Sequence, residues 1–511
     1  MDLSYETKET AKFPSVDVEY QSGSIEAAEQ GGGALGNVRR WIRSVGAEEF
    51  GIEPITKEMR TNQPAIDLCT IFLAANCNVT TLATGYLGPT SYGLGWWDSF
   101  LCVLFFNLVG VIPPVICATL GPKLGLRTMI IPRYSFGWWP VKVIAILNCI
   151  NQIGWGIVSG ITSGDVLYDV GSGRLPLAVA VLVVCLVGFA FGLLGYKILH
   201  IYDRYSWIVM LICFILLAGF GAKHFVNIPM GSGDTERSNV FAFGVSIIGY
   251  ELAWLPVAAD YGVYLQDTIS PTKTGLWTLL GLLSSQVLIE WLGVAVGTLS
   301  QSTDSLFTDA YNNSGVGGLI GVIFKSYNSS GVTGFGKFIE VLIAFSTSAV
   351  ISTNIYSLGL SVQVISGKLL VVPRFVWSLL GGCVLLACSI AGRNVLADVM
   401  TNFLSICTYW LTPFCTILLL EHFIWRRGYA YDLAAWDDRS RLPHGIAASV
   451  AFVVGTVLSL LCMNQVWWVG PIALGIGPAP YGTDISWLLA VGVCTLIYVP
   501  LRLWERKRWN L

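Results

Sequence analysis

The sequence predicts an all-α membrane protein of about twelve transmembrane helices, and three observations carry that prediction. Of its 511 residues, 54% are hydrophobic and only 12% are charged, about half the charged share of a soluble globular domain. Apolar stretches of about 20 residues, the length a helix needs to cross the hydrocarbon core, recur from Ile66 almost to the C-terminus. These stretches are too continuously apolar to be alternating barrel strands, and open sheet edges cannot be satisfied in lipid.

In order, the expected spans are 65–87, 98–120, 137–165, 176–196, 205–222, 240–264, 275–299, 335–365, 375–391, 398–421, 445–463 and 486–504. Residues 1–63 read as a polar, partly disordered cytosolic tail, 64–504 as the transmembrane domain and 505–511 as a second cytosolic tail. The first tail lacks the apolar core of a cleavable signal peptide, so span one must serve as the insertion signal. Within it, Val38, Trp41, Ile42 and Val45 fall at helical spacing among Arg39, Arg40 and Arg43. An interfacial helix and an ordinary cytosolic tail both fit that pattern. Gly31, Gly33 and Gly36 reproduce a dinucleotide-binding glycine spacing, but without a preceding strand they read as a linker.

Orientation follows from Lys and Arg, which are retained on the cytoplasmic side in short loops and tails. With the N-terminus inside, the inner loops and C-terminal tail hold sixteen of them, including Lys123, Arg127, Arg133, Arg426, Arg427 and Arg506. The outer loops hold six: Arg174, Lys223, Arg237, Lys325, Lys337 and Arg393. Both termini are therefore expected in the cytoplasm. The glycosylation sequons at Asn312 and Asn328 then fall outside, in a long polar loop between spans seven and eight. The thirteen cysteines show no paired spacing and read as small packing residues. The fold class makes a nucleic-acid partner improbable; the expected partners are the lipid bilayer and a small solute.

Gly160 with Gly164, and Gly293 with Gly297, are pairs of small residues four apart within spans three and seven, which permits close helix crossings. More informative are polar side chains within spans, because an amide or carboxylate in hydrocarbon needs a partner, a cavity or a solute. Span one holds Asn76 and Asn78, then Thr80, Thr81 and Thr84 ahead of a break expected at 85–89. Span six holds Glu251, Trp254, Pro256 and Asp260, and span eight holds Ser346, Thr347, Ser348, Ser352, Thr353 and Asn354. Helices broken at corresponding places in two halves mark a transporter's binding site. Breaks in spans one and six imply two inverted repeats of five spans, with spans eleven and twelve appended. Trp155 and Trp254 are the candidates for stacking on a flat solute. Trp96, Trp97, Trp467 and Trp468 lie near span ends and read as interfacial anchors.

Several stretches resemble the fungal purine-cytosine permease branch of the nucleobase-cation-symport family. They are ANCNVTTLATGYLGP from Ala75, GPKLGLRTMIIPRYSFG from Gly121, GYKILHIYDRYSW from Gly195, AWLPVAADYGVY from Ala253, VPRFVW from Val372 and WDDRSRLPHGIAA from Trp436. The resemblance implies the five-plus-five inverted-repeat fold, a cavity among spans one, three, six, eight and ten, and proton-coupled uptake of a nucleobase across the plasma membrane. It implies no cofactor beyond the coupling ion H+. By the same resemblance Trp155 and Trp254 sandwich the ring, while polar side chains of spans one, three and eight read its edges. Asn76, Asn78, Ser159, Thr353 and Asn354 are the candidates for that reading.

Two places depart from the family pattern. The amide usual one turn after the span-three tryptophan is here Ser159, and the paired asparagines usual in span eight are replaced across Val350, Ile351, Ser352 and Thr353, leaving Asn354. A related ring, vitamin B6-like, allantoin-like or a secondary metabolite, is therefore the alternative solute. Glu251 occupies a position usually uncharged in the family and is a candidate to pair with a cationic ring or bind the coupling proton; a place near the outer water layer fits it equally. Asp260 is a second proton candidate, with structural pairing to a loop Lys or Arg as the alternative, and Glu290 and Glu340 are secondary. An enzyme is not expected, since four histidines are scattered and no metalloprotease or serine-hydrolase motif occurs.

Overall fold

The computed structural model describes residues 51–60, 64–193, 196–366, 374–478 and 482–509, with Leu369 and Val372. The glycines at 31, 33 and 36 and the 38–45 segment lie outside the described residues. Lipid-facing backbone can pair its N–H and C=O groups only within its own helix, and the chain is accordingly a succession of helices. In order they are α1 (Ile66–Asn76), α2 (Val79–Thr90), α3 (Trp96–Gly110), α4 (Ile112–Leu124), α5 (Pro140–Val170) and α6 (Leu177–Leu193). There follow α7 (Tyr196–Gly221), α8 (Asp234–Leu252), α9 (Ala258–Gly262), α10 (Pro271–Thr298), α11 (Ser305–Lys325) and α12 (Ser330–Ala344). The last are α13 (Ser348–Ile365), α14 (Arg374–Gly392), α15 (Leu396–Leu420), α16 (Ile446–Cys462) and α17 (Ser486–Trp509).

Every expected span has a helix at its place. By length and composition, eight described helices can cross a membrane, or nine if α1 and α2 count as one span bent by 58°. Three shorter apolar helices occupy 177–191, 205–221 and 446–462. Ile150, Ile215 and Leu496 are 60 to 75% exposed, which suits a surface solvated by lipid. Trp97, Trp467 and Trp468 are also exposed, the last two in and beside a small hairpin, Asn464–Gln465 with Trp468–Val469.

The breaks are the main departure from the expected pattern. In the first span the helix stops at Cys77 and restarts after Asn78, whereas 85–89 stays helical within α2. Asn78 forces this position: its Oδ1 accepts from the N–H groups of Thr80 at 2.7 Å and Thr81 at 3.1 Å, capping α2. Gly85 and Gly88 serve packing instead, since a Cβ on Gly85 would strike the backbone of Glu290 and one on Gly88 would meet Ser99 Oγ at 2.6 Å. Span six breaks where expected, at a 3₁₀ turn, Leu255–Val257, centred on Pro256, which has no N–H to give. A third break, unannounced by Gly or Pro, separates α12 from α13. Ser346 fills it, accepting from Val79 N at 3.1 Å and donating to Ile343 O at 2.6 Å, so the break in the eighth span is tied to that in the first.

The polar stretch after span seven is a helix rather than a loop. α11 is capped by Asp304, whose Oδ1 accepts from Leu306 N at 2.9 Å, and it bends at Gly315, where φ is +49°. Its second half, Val316 to Phe324, is apolar and buried, which holds it against the bundle, while Asn312 and Asn328 remain exposed. The glycine pairs pack as expected. A Cβ on Gly293 would strike Leu82 O, one on Gly297 would approach Tyr86 O at 2.9 Å, and Gly160 and Gly164 face Cys185 and Val181. Thus α2 and α10 touch backbone to backbone.

Toward the C-terminus a buried ionic network joins α15 to α17. Arg502 donates to Glu421 at 3.0 and 2.8 Å, to Glu505 at 3.2 Å and to the carbonyl of Tyr134 at 3.1 Å. Tyr498 adds a bond to Glu421 at 2.8 Å. α17 runs on to Trp509, so Glu505, expected to open a tail, is fully buried and accepts from the N–H groups of Gly445 and Ile446. Residues 51–60 likewise lie against the bundle. Ile52 and Ile55 are buried, Ile55 N donates to Gly125 O at 2.8 Å, and Arg127 Nε donates to Gly51 O at 2.9 Å. Lys57 pairs with Asp267 at 2.8 Å, a contact that holds the Asp267 carboxyl below the usual carboxylate range.

Arg502→Leu leaves buried Glu505 without its cation and Glu421 with Arg426 alone, a loss of about 3–5 kcal/mol. The variant is expected to melt well below wild type in detergent, whereas Arg508→Leu, at an exposed position of the same helix, melts unchanged. Equal melting of the two would remove the network from the account of stability.

Candidate functional site

The three breaks meet at one cavity. Its wall is formed by Ile71 and Ala75 of α1, Asn78, Thr80 of α2, Gln152, Trp155 and Ser159 of α5, and Tyr250 of α8. Ala253, Trp254 and Val257 of the span-six break, Tyr261 of α9, and Ala349, Val350, Thr353 and Asn354 of α13 complete it. The spacing on α5 is three and four residues, so Gln152, Trp155 and Ser159 present one helical face, and the α13 residues repeat that geometry. No charged side chain lines this cavity.

Of the seven residues expected to bind solute, six line the cavity: Asn78, Trp155, Ser159, Trp254, Thr353 and Asn354. Asn76 does not. It is fully buried, donates from Nδ2 to Phe72 O at 3.0 Å and accepts from the Tyr250 hydroxyl at 3.4 Å, so its amide is used inside the protein. Asn78 is largely used as well, since beyond capping α2 it donates to Ala75 O at 2.6 Å.

The two indoles come from α5 and the span-six break. Trp155 meets Tyr250 edge-on at 4.9 Å between centroids and Phe403 at 5.3 Å, and Trp254 meets Phe72 at 5.6 Å and 90°. These edge contacts brace both rings from the side. Around them lie buried polar atoms without a partner: Trp155 Nε1, Ser159 Oγ, Thr80 Oγ1 and Asn354 Nδ2. Thr353 Oγ1, by contrast, donates to Ala349 O at 2.8 Å.

None of the carboxylate candidates lines the cavity. Glu251 is fully buried, away from the outer water layer, and faces Gln286 on α10. It is therefore not placed to pair with a ring in the cavity. Consecutive residues of a helix point about 100° apart, so α8 turns Tyr250 to the cavity and Glu251 to α10. Asp260 accepts from Thr128 N at 2.6 Å, and Glu340 is buried beside the Lys325–Asp169 pair.

Sequence reasoning passed over Gln152, Tyr250 and Tyr261. Gln152 was within reach, since it precedes Trp155 by one turn on the same face. Tyr250 carries no such signal, because an aromatic in an apolar helix is ordinarily a packing residue.

Over residues 54–489 the chain matches the family described as permease for cytosine/purines, uracil, thiamine, allantoin. The purine-cytosine permease fcyB of Emericella nidulans is 35% identical over 93% of this chain and 92% of that protein. The purine-cytosine permease FCY21 of Saccharomyces cerevisiae is 33% identical over 99% and 97% respectively. Among solved structures, Mhp1, a nucleobase-cation-symport-1 family transporter in a closed conformation with bromovinylhydantoin bound, matches with a TM-score of 0.67 at 14% identity. That match covers 90% of this chain and 96% of that one. The core is thus the five-plus-five, LeuT-like inverted repeat, to which α16 and α17 are added.

Asn78→Ala removes the α2 cap and is expected to cost about 1 kcal/mol, read as a lower melting temperature, with Asn78→Ser restoring most of the loss. Unchanged melting of the alanine variant would mean that the cap does not hold the break.

Proposed function

The chain belongs to the family of permeases for cytosine/purines, uracil, thiamine and allantoin, and on that premise we propose that it carries a purine- or cytosine-type nucleobase inward, together with a proton. The proposed setting is the plasma membrane, with both termini in the cytoplasm. One observation carries the choice of solute: an uncharged cavity bounded by Trp155 and Trp254, with the partnerless Trp155 Nε1, Ser159 Oγ, Thr80 Oγ1 and Asn354 Nδ2 around them. A flat, neutral heterocycle matches it, since its faces stack on indole and its edge carries donors and acceptors. The printed names of fcyB and FCY21, both purine-cytosine permeases, support the same reading.

The mechanism that follows is alternating access. The solute bridges the broken first and sixth spans on one side and α5 and α13 on the other. Closure over it then favours the occluded state, from which the inner path opens. Backbone contact between α2 and α10 supports a reading in which those two helices move together. In the orientation proposed, Asn312 and Asn328 face the outside and are available for glycosylation.

The test is uptake of radiolabelled cytosine and adenine in cells lacking their own nucleobase permeases, with and without a protonophore. Protonophore-sensitive uptake is expected; no uptake from protein present at the cell surface would reject the nucleobase. Trp155→Ala and Trp254→Ala are each expected to lose roughly 2–3 kcal/mol of ring contact, a rise in KM on the order of 30- to 100-fold, at unchanged surface abundance. A KM unchanged by both substitutions would exclude stacking.

A further inference from the structure

Behind Tyr250, on the side of α8 turned from the cavity, two carboxylates are sealed in the bundle. Glu251 and Glu290 are each fully buried. In the amide orientation that satisfies its neighbours, Gln286 donates to both oxygens of Glu251, one at 3.0 Å, and to Leu282 O at 3.1 Å. Glu290 Oε2 accepts from Asn107 Nδ2 at 2.6 Å, and that nitrogen also donates to Val103 O at 2.8 Å. Glu290 Oε1 and Asn107 Oδ1 are buried acceptors with no donor. The carboxylates lie within electrostatic reach of each other and of the Tyr250 hydroxyl.

Helices α1, α2, α3, α4, α7, α11 and α15 pack around α8 and α10. Of their side chains, Asn107 meets Glu290, while Asn76 and Thr81 meet the Tyr250 hydroxyl. The nearby thiols look elsewhere, Cys102 to Val240 O, Cys117 to the Asp260 side and Cys407 to Asn151. Tyr250 is the remaining titratable neighbour, and among the described residues no Lys, Arg or His bonds to either carboxylate. The contrast within this chain is Glu421 with Glu505, whose two charges are met by Arg502 and Arg426. An amide differs from a guanidinium in one decisive way: beside its N–H groups it carries a C=O that can accept from a protonated acid. Two negative charges within reach of each other in a low-dielectric interior repel, and a proton on either relieves the repulsion.

Tyr250 joins this pair to the solute site. Its ring lines the cavity edge-on to Trp155, and its hydroxyl lies 2.6 Å from Thr81 Oγ1 and donates to Asn76 Oδ1, at the break of the first span. We propose that Glu251 and Glu290 together hold the coupling proton, and that Tyr250 makes proton binding and solute binding depend on each other. The inference rests on the reading of the chain as a proton-coupled carrier. One H⁺ passes from the outer solution to a carboxylate oxygen of the pair, giving a neutral acid, and leaves to the inner solution, regenerating the carboxylate; no bond of the solute changes.

The experiment uses purified full-length protein in liposomes with radiolabelled cytosine. It compares accumulation under an inward proton gradient with exchange in its absence. The double variant Glu251→Gln, Glu290→Gln is expected to keep exchange within about twofold of wild type and to lose accumulation by about tenfold or more. Gradient-driven accumulation by the double variant overturns the assignment, and so does loss of exchange along with accumulation in protein that remains folded. Wild-type accumulation that ignores the gradient would instead overturn the proton-coupled reading itself. Gln286→Leu keeps both acids and removes one amide, and carries the test where the double variant does not fold. Its pH profile of uptake is expected to shift its midpoint by about one unit, and an unmoved midpoint overturns the proposal.

Discussion

A backbone N–H or C=O left unpaired in hydrocarbon costs several kcal/mol, and this constraint organises the protein. Along most of its length the chain obeys it in the simplest way, as continuous helix. Where it does not, the freed groups are satisfied by specific side chains: Asn78 caps the restarted helix, Ser346 reaches from the eighth span to Val79, and Pro256 removes a donor altogether. The places where backbone pairing is interrupted are the places where the cavity forms, since only there do helix ends and side chains converge.

Lipid supplies no hydrophobic drive between helices, so contact depends on close approach. Gly85 and Gly293 let α2 and α10 meet through their backbones, and the same surface brings Glu290 of α10 behind the cavity. Packing and electrostatics are therefore one arrangement. The glycines that permit the approach also set where the carboxylates lie, and α8 inserts Tyr250 between them and the cavity.

The buried charges fall into two kinds. Glu421 and Glu505 surround Arg502 and pair with its guanidinium; that network fastens the appended helix α17 to the core. Glu251 and Glu290 meet amides instead, which accept either protonation state. The first kind holds the structure together, and the second is the one proposed to hold the coupling proton.

Much of this was legible in the amino-acid order. Apolar runs of bilayer length determine helices whatever they pack against, and Trp155, Trp254, Thr353 and Asn354 were found because polar or aromatic groups in such runs demand a reason, while Ser159 came from the family resemblance. The broken first span was also visible, but its location was not, because Gly and Pro at 85–89 signal a break as readily as a close contact, and only the neighbour Glu290 distinguishes the two. Likewise the 305–325 stretch reads as a polar loop until its apolar half finds a surface to bury. The sequence by itself determined the fold class, the sixth-span break and most of the cavity's residue types, since these follow from the cost of polar groups in lipid. Tertiary structure alone decided that Asn76 and Glu251 face away from the cavity and that Tyr250 faces into it. A rotation of 100° per residue separates neighbours on a helix, and nothing in the chain fixes which way a helix is turned until another packs against it.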